Sequence, residues 1–169
     1  MNTFVTYIFV FVVSVTGIDY HIPLLVPNSQ EQDIHNFMDD WHQAAWEADN
    51  ETYFGMLDED CIFIGTDLSE VWTKQEFYNW SRSYFDSGRV WKFKGKNRHI
   101  YFDEDKTIAW FDEEVHSSAG VWRGSGVLSR ESGNWKLKQY VLSMTVPNDL
   151  MDKVIQDIKS YNDTITTAN

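Results

Sequence analysis

A chain of 169 residues is long enough for one domain with a proper core and too short for two comfortable ones. Hydrophobic residues make up 43% and aromatics 16%, including 8 Trp, which excludes global disorder. The 26 acidic residues outnumber the 14 basic ones, for a net charge of −12, so nucleic acid is excluded as a partner.

From Thr3 to Ile18 the chain carries no charge. This run is short of the ~20 residues of a bilayer-spanning helix, and Val15 and Gly17 are small enough for cleavage before Ile18. Residues 1–18 are expected to be a signal peptide or an uncleaved anchor, exporting the protein to a periplasmic or extracellular location. The membrane is a partner only if the leader stays. No Lys or Arg precedes the run, and the first in the chain is Lys74. Residues 19–28, with Pro23 and Pro27, read as a linker.

A first helix opens at Ser29, which forms a capping box with Gln32. Ile34, Phe37, Met38, Trp41, Ala45 and Ala48 fall on one stripe of it. A short helix follows from Asn50, its expected cap, to about Leu57, then a strand over 61–66. Cys61 has no cysteine partner and reads as core. Thr73 and Glu76 make a second capping box, with Trp72 and Phe77 as a hydrophobic staple. Phe77, Trp80 and Tyr84 continue that helix's apolar stripe, and Gly88 ends it. Four strands are expected at about 90–102, 107–116, 121–131 and 135–146, joined by short polar turns as an antiparallel meander. Pro147 stops the last of them. Asn148 then caps a final helix with Leu150, Val154 and Ile158 facing inward. The fold class is α+β, a curved antiparallel sheet wrapped around the N-terminal helices as a cone with one pocket.

The stretches FMDDWHQAAWEAD (37–49), IFIGTD and EVWTKQEF (within 62–77), AWFDE (109–113), RGSGVL (123–128) and WKLKQYVLS (135–143) resemble SnoaL-like domains. These belong to the nuclear transport factor 2-like superfamily, which also holds the ketosteroid isomerases. The resemblance spans about residues 30–148, within a domain taken as 29–147, with 148–169 as a C-terminal helix and tail. It implies the same cone, also described as cystatin-like. No single reaction follows from it, because the superfamily includes isomerases, dehydratases and domains without catalysis.

Strand alternation assigns faces. Lys136 and Lys138 should face out, which turns Gln139 and Ser143 inward. Comparison with the family turns Arg123 and Ser125 inward too, and Phe111 and Glu113 belong to the matching set one strand earlier. Glu113 and Arg123 would then pair, either as a ligand-holding group or as a structural pair that fixes register. Asp67 lies near the position of the general base in the resembling isomerases. It is expected to be a proton acceptor with a raised pKa, the alternative being a turn cap. Those isomerases also call for a Tyr on the first helix, where this chain has Trp41, His42 and Trp46, so steroid isomerisation is not expected. Trp41 is core or pocket wall.

His35, Asp39 and His42 share a helix face at metal-ligand spacing, but this face reads as a solvated flank, and no metal or other cofactor is expected. Trp110, Trp122, Leu128, Tyr140, Leu142 and Met144 should lie on the outer sheet face, an apolar surface suited to a homodimer. The expected function is binding of a small hydrophobic molecule, with or without acid/base chemistry of isomerase or dehydratase type. The alternative is a non-catalytic assembly domain.

Overall fold

The computed structural model describes residues 29–168, with side chains to residue 163; the expected leader (1–18) and linker (19–28) lie outside the described residues. Helix α1 (Ser29–Glu47) buries Ile34, Met38, Trp41, His42, Ala44 and Ala45. Helix α2 (Asn50–Gly55) is capped by Asp49, one residue earlier than expected, whose carboxylate accepts from the Thr52 N–H at 3.0 Å. Helix α3 (Lys74–Asp86) carries the complete Thr73–Glu76 capping box and buries Phe77, Ser81 and Phe85.

Six strands form one sheet: β1 (Leu57–Ile64), β2 (Val71–Thr73), β3 (Lys94–Phe102), β4 (Ile108–Ser117), β5 (Gly120–Glu131) and β6 (Asn134–Met144). Their order is β2-β1-β6-β5-β4-β3, and every pair is antiparallel except β1–β6, which is parallel. The short β2 was not foreseen. Its hairpin with β1 carries Trp72 directly opposite Phe63. The concave side of the sheet closes over an aromatic core in which Trp41 stacks on Tyr53 at 4.7 Å and meets Tyr140 edge-on at the same distance. Cys61 is buried there, and burial pushes its thiol up to about 12, so it behaves as a small apolar side chain.

Two bulges decide which side chains face that core. In β6, Gln139 pairs with Val127 but Leu137 pairs with Leu128, leaving Lys138 as an extra residue. Trp135 and Leu137 therefore face inward as expected. Beyond the bulge the inward set becomes Tyr140 and Leu142 in place of Gln139, Val141 and Ser143. Lys138 reaches Asp58 and Asp60, both at 3.1 Å, in the irregular stretch of β1. In β3 the pairing runs from Lys96–Glu114 to His99–Asp112, so Asn97 and Arg98 together oppose Glu113. Asn97 takes the left-handed conformation at φ 46°, and Arg98 is turned inward with 3% of its side chain exposed.

After a single 3-10 turn at Asn148–Leu150, helix α4 (Met151–Ala168) leaves the domain. Leu150 is 50% and Ile158 54% exposed and only Val154 is half-buried, so among the described residues the expected inward stripe is not covered. No helix among the described residues is long and apolar enough to cross a membrane.

Candidate ligand site and its buried charge cluster

Alternation along β4 puts Ala109, Phe111, Glu113 and Val115 on the concave side, as expected for Phe111 and Glu113. Glu113 is 1% exposed, and a carboxylate so buried must be matched by donors. His42 Nε2 from α1 lies 2.7 Å from its Oε1, and the Tyr140 hydroxyl from β6 donates to the same oxygen at 3.2 Å. Arg98 from β3 donates to Oε2 twice, from Nε at 2.9 Å and Nη2 at 2.8 Å. Arg98 also donates to the Asp39 carboxylate at 2.9 Å and to the His35 carbonyl at 3.0 Å. Burial works against the Glu113 charge, but His42 and Arg98 outweigh it and hold the carboxyl below the ordinary glutamate range. Burial, joined by that negative charge, pushes the Tyr140 phenol well above its ordinary value.

Room for the cluster depends on two glycines. A Cβ at Gly95 would overlap the Glu113 carboxylate, and one at Gly124 would overlap the Tyr140 hydroxyl. Glu113 is held ionised with both oxygens occupied. It ties α1 to three strands and has no free oxygen with which to accept a proton.

The other sequence-predicted residues divide between core and surface. Trp41 and Phe111, 2% and 3% exposed, pack against Tyr140 as core. Arg123 faces outward, opposite Glu114 in register, and pairs with Asp112 at 3.5 Å rather than with Glu113. Gly124, Gly126 and Leu128 take the inward places on β5, with Ser125 on the Arg123 face. Gln139 and Ser143 are turned outward by the Lys138 bulge. Asp67 is exposed in the β1–β2 turn, where its Oδ1 accepts from the Ser69 hydroxyl at 2.5 Å and the Ser69 N–H at 2.9 Å. Those bonds lower its pKa, opposite to the expected rise, because they outweigh the desolvation that opposes them. Asp67 is a turn cap.

The cavity sits at the mouth of the cone, beside that turn. One wall comes from the β1–β2–α3 unit and the segment after α3: Phe63, Trp72, Phe77, Trp80 and Trp91. Phe93, Trp122 and Leu142 form the other wall, and Gly65, Thr66 and Glu70 the rim. Its volume is ≈ 190 Å³. The rings of the first wall are nearly parallel, Trp72 and Phe77 within 16°, Phe77 and Trp91 within 24°, Trp72 and Trp80 within 28°. Trp122, expected on the outer face, thus lines the cavity, and Leu128, Tyr140 and Leu142 are also inward. Of that expected set only Trp110 is exposed on the outer face; Met144, opposite Trp122 in register, is exposed on the cavity side.

Sequence reasoning missed Arg98, the role of His42, and Glu70. His35, Asp39 and His42 do share a face, but it is not a solvated flank: it meets the sheet, where Arg98 of β3 bonds His35 and Asp39 and His42 bonds Glu113 of β4. Among the described residues no group of three or more His, Cys, Asp or Glu is placed to hold a metal ion.

Comparison with solved structures gives the same cone at low identity. A cystatin-like domain of unknown function from Nostoc punctiforme aligns with a TM-score of 0.64 at 12% identity, covering 83% of this chain and 97% of that one. An NTF2-like protein of unknown function from Pseudomonas putida gives 0.59 at 12%, covering 71% and 89%. A protein described as a candidate ketosteroid isomerase from Parabacteroides distasonis gives 0.54 at 19%, covering 74% and 94%. No curated protein matches the chain. The pattern of the SnoaL-like domain matches residues 34–147, from the first buried position of α1 to the end of the sheet, and the chain belongs to that family.

Proposed function

We propose that this protein binds a small, flat, apolar ring system in the cavity at the mouth of its cone. The observation that carries this reading is the cavity wall itself: seven aromatic side chains from β1, β2, α3, β5 and the 89–93 segment surround ≈ 190 Å³ of space. A dry apolar cavity of about 150 Å³ takes one benzene, so this one suits one or two fused rings. Stacking on such walls contributes about 0.5–1.5 kcal/mol per ring pair beyond the area removed from water. Naphthalene-sized probes should quench tryptophan fluorescence saturably, and Trp80→Ala should weaken that binding about tenfold. Trp80 is 43% exposed, so its removal spares the core. Unsaturable quenching, or equal binding by the variant, refutes the site.

A second reading, self-association through the outer sheet face, is favoured by Tyr101 and Trp110. They stack at 6.0 Å on adjacent strands while 49% and 44% exposed. Sedimentation should then report a dimer that Trp110→Glu returns to monomer. A monomeric wild-type protein removes this reading and leaves the cavity reading intact.

A further inference from the structure

We infer that the ligand of the aromatic cavity carries a positive charge, set against the carboxylate of Glu70. This rests on the cavity being a ligand site, and it names the chemical class. Of the side chains that line the cavity, Glu70 alone is charged. It is half-buried and held in place: its Oε2 accepts the Asp67 N–H at 3.1 Å, and its carbonyl accepts the Gly65 N–H at 2.8 Å. The carboxylate lies so close over Gly65 that a Cβ there would overlap it, so the glycine makes room for the charge at the rim. Among the described residues no Lys, Arg or His forms an ion pair with it, whereas Asp58, Glu59, Asp112 and Glu113 each have one.

A neutral ring filling the cavity would strip water from Glu70 and give nothing in return, which is costly for an ionised group. A cation offsets that loss and gains again from the ring faces, which attract positive charge within ≈ 6 Å. An anion meets repulsion from Glu70 and from a chain of net charge −12. The near-parallel rings of one wall favour a flat body that stacks on them, so the class is an aromatic or planar heteroaromatic cation of one or two rings.

Three bicyclic probes separate the terms: 1-methylquinolinium, its neutral isostere 1-methylnaphthalene and anionic naphthalene-2-sulfonate, titrated by tryptophan fluorescence at low ionic strength. The cation should bind at least tenfold more tightly than the neutral probe, and the anion not measurably. Glu70→Gln should weaken the cation's binding and, with no charge left to desolvate, make the neutral probe's binding no weaker, so that the two affinities converge. Equal affinities for cation and neutral probe in the wild-type protein overturn the charge assignment and spare the ring site. Failure of all three to bind overturns both. The wild-type comparison decides the question even if the variant folds poorly, and loss of the preference at high salt provides a second measurement.

Discussion

Replacing Glu113 by Gln is expected to lower the unfolding free energy by about 3–5 kcal/mol, because Arg98 would stay buried with only the exposed Asp39 as counter-charge. The substitution keeps the volume of the side chain, so the loss reports charge and hydrogen bonding rather than a cavity. Urea unfolding should show a lower midpoint with an unchanged slope. Arg98→Met in the Glu113→Gln background should restore part of the loss, since the under-compensated guanidinium is then gone. A double variant as unstable as the sum of the singles would contradict the account. The pH dependence supplies an independent check. The folded-state pKa of Glu113 lies below its ordinary value of 4.5, so the folded form binds this proton less readily than the unfolded chain does. Its contribution is complete above about pH 4.5 and is lost as the pH falls from there through the depressed value. Wild-type stability should fall across that range, and Glu113→Gln should flatten the fall.

Phe77→Ala is expected to cost a similar amount, about 3–5 kcal/mol, for an unrelated reason. Phe77 is 1% exposed and joins the elements of one cavity wall: it stacks on Phe63 at 3.9 Å and lies 5.6 Å from Trp72, 5.9 Å from Trp91 and 5.5 Å from Phe54. Truncation leaves a void among rings held by separate elements, which cannot all move in to fill it. Thermal unfolding should drop by roughly 10 °C for a domain of this size. Unlike the loss at Glu113, this one should be independent of pH between 3 and 8, and a shift under ~1 kcal/mol would show that the wall collapses around the gap.

The helices and the β4 face were legible because their signals are local. Thr73 and Glu76 announce α3 within four residues, and the alternation of Ala109, Phe111, Glu113 and Val115 needs no knowledge of a partner strand. Gln139 and Ser143 were misassigned because simple alternation fails past a bulge, and the extra residue, Lys138, is placed by carboxylates nearly 80 residues earlier. Arg98 could have been found: Gly95 and Asn97 inside a strand are the residues that permit a bulge, and the next side chain is then re-aimed. His42 could not, since its flank of α1 faces solvent until β3 folds against it. Glu70 and Trp72 meet the second wall only when β5 and β6 bring in Trp122 and Leu142 from the far end of the chain.

The kink that aims Arg98 has a second effect, because β3 is the last strand on its side of the sheet. A foreign strand seeking to extend the sheet there would have to match a border interrupted by an unpaired residue and studded with Lys92, Lys94 and Lys96. The same local deformation that completes the interior thus makes that margin a poor template for a foreign strand.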